Sequence, residues 1–234
     1  MRPAAEALTA TRAVDDVPAG FASLLQARFQ GRPGARFVLF LSGGSTAAAC
    51  YDRAATDAEV DWSLVDIYMG DERCVPADDR DANQRLVREH LVEPLGGVGS
   101  FTPMAADPDP ERGASGYDAV VGEVLAGPGI DLIHLGLGPD GHTASLFPGA
   151  PSLEVTDRRA LATEDPSGRN PHPRLTVTYP VIDAARTAVF TVAGPEKHDA
   201  VARIRGGEDL PAARVATPDI RWLLDGGASE GPSQ

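Results

Sequence analysis

Residues 37–41, Phe-Val-Leu-Phe-Leu, form an unbroken apolar run that stops at Ser42-Gly43-Gly44, and an alanine-rich stretch at 46–55 follows at once. Five apolar residues without alternation predict a strand buried on both faces, and the alanines predict a helix. The order is strand, glycine turn, helix, and it recurs. Residues 65–69 (VDIYM) run into GDERCVPADDRDAN and then the helical QRLVREHLVEPL. Residues 131–137 (DLIHLGL) run into a glycine-rich loop that carries Asp140 and His142. Residues 174–182 and 188–194 predict further strands, and Pro195 predicts the first position of another helix. A short last strand is expected at 214–217, with its exit at 222–225.

Apolar strands separated by helices predict an α/β fold, a three-layer α/β/α sandwich around a mostly parallel, Rossmann-like central sheet. Ligands of such sheets gather outside the carboxyl ends of the strands. Every motif here follows a strand, so one pocket is expected to hold them all. The chain is expected to be one domain over 1–234, with surface loops at 107–116 and 164–173 and a frayed, small and polar tail at 226–234.

Composition narrows the function classes. With 42% hydrophobic and 24% charged residues the chain has ordinary globular values. No apolar stretch reaches the roughly eighteen residues of a membrane span, and Asp15 and Asp16 interrupt the region where a signal peptide would be apolar. A cytoplasmic protein is expected, with Cys50 and Cys74 as free thiols. The net charge of -13 argues against a nucleic-acid surface. The expected partner is therefore a small molecule, met by a monomer or weak homodimer. Lys197 is the single lysine of the chain.

Four groups of residues carry candidate chemistry. Ser42-Gly43-Gly44-Ser45-Thr46 can turn backbone amides toward a phosphate at a helix start, or can serve as a tight turn with Ser45 or Thr46 as the N-cap. It lacks the Walker lysine and the dinucleotide spacing, so no nucleotide is indicated. Asp71-Glu72-Arg73 follows the second strand, where carboxylates could orient hydroxyls and the arginine could stabilise an oxyanion; the alternative is a solvated loop triplet. Asn83, downstream, is either a hydroxyl reader or a residue at the start of a helix. Gly136, Gly138 and Gly141 surround Asp140 and His142, and a carboxylate two residues from a histidine can hold it in one tautomer as a general base. A purely structural His142 is the competing reading. Arg174 and Lys197 could close a phosphate site from the opposite side, or could be surface cations. The remaining histidines show no metal-ligand spacing, so no metal is expected.

SGGST, GDERCVP, LGLGPDGHTASLFPG, RLTVT and GPEKHDAV, in this order across about residues 35–205, resemble the 6-phosphogluconolactonase branch of the superfamily shared with glucosamine-6-phosphate isomerase/deaminase. The resemblance implies a cofactor-free hydrolase that opens a phosphorylated sugar lactone, 6-phospho-D-glucono-1,5-lactone. By position it implies His142 as the catalytic histidine, Asp140 as its nearby acid and Arg73 as a second substrate-facing cation. Ser42 to Thr46, Arg174 and Lys197 are then phosphate contacts. The isomerase branch has DEY where this chain has Asp71-Glu72-Arg73, and a glutamate where this chain has Leu146-Phe147-Pro148; both differences favour the lactonase. Many lactonases carry a lysine before the RLT strand, and Arg169 occupies that region here as the expected substitute. A sugar-phosphate isomerase and a non-catalytic phosphosugar sensor are the competing functions.

Overall fold

Every residue of the first strand, β1 (Phe37–Leu41), is buried, as an apolar run without alternation requires when both sheet faces are covered. The computed structural model describes residues 2–105 and 109–230. Two helices, α1 (Pro3–Ala10) and α2 (Val17–Gln30), precede β1, and α3 (Ser45–Asp57) and β2 (Val65–Met69) follow it. Next come β3 (Asp71–Arg73), α4 (Asn83–Val87, continued by a π-helical turn to Val92), β4 (Ser100–Thr102) and α5 (Pro110–Ala126). The chain then forms β5 (Leu132–Leu135), β6 (Ala160–Thr163), β7 (Arg174–Val177), α6 (Tyr179–Asp183) and β8 (Thr187–Val192). It closes with α7 (His198–Arg205), β9 (Asp219–Leu224) and α8 (Gly226–Glu230).

Six strands make the central sheet in the order β4-β2-β1-β5-β8-β9, and every pairing is parallel. From β1 the chain moves outward through α3 to β2 and β4, and α5 carries it back across to β5. Right-handed crossovers running in opposite directions lay their helices on opposite faces, which produces the sandwich. The direction of travel reverses between β1 and β5, which pair at Leu39↔Leu132 and Phe40↔Ile133. Ligands of open parallel sheets bind at such a switch point. The turns after β1 and β5, SGGST and GPDGHT, are therefore neighbours in space although about 95 residues apart in sequence.

A second sheet of three antiparallel strands, β3-β7-β6, caps that end. Its hinge is Gly70, whose N–H donates to Leu41 O at 2.7 Å and whose carbonyl accepts from Val177 N at 2.9 Å. Asp71-Glu72-Arg73 is thus a strand of this sheet rather than a loop.

Several expectations are corrected. The run 174–182 is not one strand: β7 stops at Val177 and α6 begins at Tyr179, with Pro180 in the first turn, where its missing N–H costs nothing. Residues 214–217 are not a strand. A 3-10 turn covers Pro211–Arg214, and the last strand is β9, whose Trp222 and Leu224 are buried. Residues 110–116 are helical, because Asp109 accepts from Glu111 N and caps α5; 106–108 lie outside the described residues. The tail does not fray at 226. Asp225 accepts from Ala228 N, and α8 buries Ala228; residues 231–234 lie outside the described residues.

Candidate active site

The start of α3 is uncapped. Gly44 stands at the N-cap with φ +109° and contributes no side chain, so neither Ser45 nor Thr46 is the cap. The first backbone amides of this thirteen-residue helix meet no capping side chain. A helix start in that state attracts an anion through its N–H groups and the helix dipole. Gly43 is needed for a different reason: a Cβ there would overlap the Asn83 side chain. Ser45 and Thr46 line a cleft of about 170 Å³ together with Thr191, Glu196 and Lys197.

That cleft shares Gly43, Gly44 and Lys197 with a cavity of about 250 Å³ that is lined also by Ser42, Asp71, Arg73, Asn83, His142 and Arg174. The central sheet supplies one wall and β3 and β7 supply the other. Arg73 and Arg174 are cross-strand partners. The Arg174 side chain is buried, and its Nη1 has no hydrogen-bond partner. Burial is the larger effect on its pKa and lowers it, against the carboxylate of Asp71, which raises it. An orphaned guanidinium N–H beside a cavity is a donor set for an anionic ligand. Arg73 is held from behind, donating from Nη1 to Asp81 O at 3.0 Å.

His142 reaches the cavity from the loop after β5. Its Nδ1 lies 2.6 Å from Asp140 Oδ1, which also accepts from His142 N at 3.1 Å. A carboxylate at that distance places the ring proton on Nδ1 and leaves Nε2 with a free lone pair. Burial alone would raise the Asp140 pKa, but its bonds to His142 outweigh that and hold it below the usual carboxylate range. The ring packs against Phe147 at a centroid distance of 4.9 Å. Gly138 makes this possible, because a Cβ there would overlap both the imidazole and Asp140. Ala144 adopts φ +47°, a left-handed conformation uncommon outside glycine, and also lines the cavity.

Three residues named from sequence line neither the cavity nor the cleft: Asp140, which meets the cavity through His142, and Glu72 and Arg169. Glu72 is fully buried, and its carboxylate accepts from the N–H groups of Arg73, Asn83 and Gln84 at 2.6–2.7 Å. It fastens the start of α4 to β3, and burial pushes its pKa up to about 7. Arg169 is exposed and does not line the cavity; Asn170, its neighbour, does. Asp165 holds that loop by accepting from Asn170 Nδ2 at 2.8 Å and from Ser167. Asp71 and Asn83 do face the cavity. Asn83 Nδ2 donates to Asp71 O at 3.1 Å and to Asp71 Oδ1 at 3.3 Å, while Asp71 Oδ2 accepts from Ser145 Oγ at 2.7 Å. Ser145, Phe147 and Asn170 are cavity residues that sequence reasoning missed. The only signal was their proximity to His142 and to the 164–173 loop. Among the described residues no group of three or more His, Cys, Asp or Glu could hold a metal ion, and no helix is long and apolar enough to cross a membrane.

An open parallel sheet that brings an uncapped helix start and a carboxylate-held histidine to its switch point defines an α/β protein with a candidate anion site at that point. More particularly, the chain belongs to the family described as glucosamine-6-phosphate isomerases/6-phosphogluconolactonase, whose profile matches residues 6–223. It is 41% identical over 204 residues to a 6-phosphogluconolactonase of Synechocystis, covering 81% of this chain and 82% of that one. The human 6-phosphogluconolactonase is 34% identical over 212 residues, 83% of this chain and 80% of the other. Among solved structures, the 6-phosphogluconolactonase of Thermotoga maritima superposes with a TM-score of 0.81 at 25% identity, covering 92% of this chain and 98% of that one.

Proposed function

We propose that this chain hydrolyses 6-phospho-D-glucono-1,5-lactone to 6-phospho-D-gluconate, the lactone step of the pentose phosphate pathway, with His142 as general base and without a metal. One observation carries the reading: His142, held by Asp140 at 2.6 Å, lines the same cavity as Gly44, the N-cap of α3. The names of the relatives point the same way.

In this reading the phosphate sits on the amides of Gly44 to Thr46 and takes charge-assisted bonds from Lys197 and from the orphaned Arg174 Nη1. The grip fixes one end of the sugar and turns binding into orientation. Asp71 and Asn83 meet the ring hydroxyls. Nε2 of His142 takes a proton from a water whose oxygen bonds to the lactone carbon, and the carbonyl electron pair moves onto its oxygen beside Arg73. The oxyanion then collapses, the bond between the carbonyl carbon and the ring oxygen breaks, and Nε2–H returns its proton to that ring oxygen. A lactone is already electrophilic, so a positioned water, a base and an oxyanion partner suffice.

A stopped-flow assay with freshly generated lactone, corrected for spontaneous hydrolysis, tests this. Turnover that survives exhaustive chelation supports the reading. Ammonia release from glucosamine 6-phosphate, with no acceleration of lactone opening, would replace it by the isomerase chemistry of the same family.

A further inference from the structure

Below the SGGST turn lies a buried polar group that the proposed chemistry does not use. His134, in the middle of β5, is fully buried, and its ring packs on Phe21 at 4.6 Å and edge-on to Tyr51 at 5.4 Å. Its Nδ1 lies 2.9 Å from Tyr51 Oη and its Nε2 lies 2.7 Å from Thr191 Oγ1. Tyr51 Oη in turn donates to Ser42 O at 2.7 Å and accepts from Ser42 N at 3.1 Å. Ser42 Oγ closes the circuit by donating to the main-chain oxygen of His134 at 2.8 Å. Ser42 is therefore fixed through its N–H, its carbonyl and its hydroxyl together.

A proton count sets the direction of the network. The single Tyr51 hydroxyl proton goes to Ser42 O, so His134 Nδ1 must carry a proton and donate to the Tyr51 oxygen. A neutral imidazole then has an unprotonated Nε2, which accepts from Thr191 Oγ1. The reverse direction would turn the Tyr51 proton away from Ser42 O and leave that buried carbonyl without its donor. Cys50, Tyr51 and Thr191 pack on this group without a countercharge, and Glu196 and Lys197 line the cleft that it borders. Burial keeps the imidazole neutral, its pKa pushed down to about 3.

We infer that His134 is a positioning residue for the anion-binding turn: through Tyr51 and its own carbonyl it locks Ser42, and so pre-sets Gly43, Gly44 and the first amides of α3 for a phosphate group. Two glycines have no side chains with which to hold themselves, so the residue before them supplies the rigidity. The inference rests on the phosphate being bound there, and it deepens the proposed function.

The test uses His134→Leu and Tyr51→Phe in the full chain, with inorganic phosphate and with phosphorylated and unphosphorylated gluconolactone. Each substitution is expected to weaken inorganic phosphate binding, followed by calorimetry, about tenfold, and to raise KM for the phosphorylated lactone by a similar factor. The turnover number is expected to stay within about twofold, and kcat/KM for the unphosphorylated lactone to stay unchanged. His134→Asn, whose amide can stand near Nδ1 and donate to Tyr51, is expected to restore phosphate binding. An equal loss on both lactones, or unchanged phosphate affinity in Tyr51→Phe, would overturn the inference. If the wild-type chain accelerated no lactone at all, the proposed function would fall, and the phosphate titrations alone would still decide the role of His134.

Discussion

The two walls of the cavity are built by different means. On the central sheet, the turns after β1 and β5 work through backbone: an uncapped helix start, glycines that permit close approach, and a histidine fixed by a carboxylate two residues away. On the small antiparallel sheet, β3 and β7 work through side chains, with Asp71, Arg73 and Arg174 projecting from strands paired in fixed register. The first wall is local, since each device sits within a few residues of the strand that delivers it. The second is assembled from segments about 100 residues apart in sequence and exists only once β3 and β7 have paired. A backbone cradle is rigid and offers N–H groups to an anion. A side-chain wall can be retuned one residue at a time.

The largest effect should come from removing the cradle's ligand. Unphosphorylated gluconolactone loses the amide, Lys197 and Arg174 contacts, each worth about one to two orders of magnitude. Its kcat/KM is expected to fall by about 10³-fold or more, and a loss below about tenfold would mean that the cradle does not grip the substrate. Next comes the loop after β5. In Gly138→Ala the new Cβ overlaps the His142 ring and Asp140, so kcat should fall by about 10²-fold through misplacement alone. Normal turnover in that variant would show that the ring has no fixed working position.

The side-chain wall should respond differently. Arg174→Leu is expected to raise KM by about 10- to 100-fold, yet leave the thermal midpoint unchanged or higher, because the free protein gives Arg174 Nη1 no partner to lose. A clear drop in thermal midpoint, read by calorimetry, would make Arg174 structural. The smallest effect, taken per pH unit, concerns acid. An unfolded histidine takes a proton near pH 6.5, whereas folded His134 resists until about 3. Between those values the unfolded state binds more protons, and stability falls as pH falls. Relative to His134→Leu, the wild type should lose about 1.4 kcal/mol per pH unit within that window in urea titrations. Glu72, pushed up to about 7, acts in the opposite direction between about 4.5 and 7 and is common to both chains. A constant difference across the window would mean that His134 titrates normally.

The same contrast explains what could be read from the sequence. The cradle and the Asp140–His142 loop were legible because their cause is local: an apolar run, glycines where the backbone turns, and a carboxylate two residues from a histidine. The second wall was legible only as charged residues after a strand. The triplet at 71–73 gives no sign that Glu72 turns inward to hold α4 while Asp71 and Arg73 face the cavity. That division follows from the alternation of β3 once it pairs with β7. The strand read through 174–182 broke at Tyr179-Pro180 because a proline in the first turn suits a helix as well as an edge strand. Arg169 lies in the region where the family pattern has a lysine, but the Asp165 clamp presents its neighbour Asn170. The stretch from Gly226 to Glu230 looked unstructured by composition, and Asp225 caps it into α8.

In the proposed mechanism His142 does the proton transfer in a cavity that binds the phosphosugar independently of it. The most direct measurement pairs kcat/KM for freshly generated 6-phosphogluconolactone with the dissociation constant of 6-phosphogluconate in His142→Asn. An amide keeps much of the imidazole's hydrogen bonding but cannot shuttle a proton, so the rate should fall by about 10²–10⁴-fold while product affinity stays within about threefold. A smaller loss in Asp140→Asn would fit an orienting role. If His142→Asn keeps its turnover, or loses product binding and folded structure in step with rate, His142 is a structural loop residue and the mechanism is wrong.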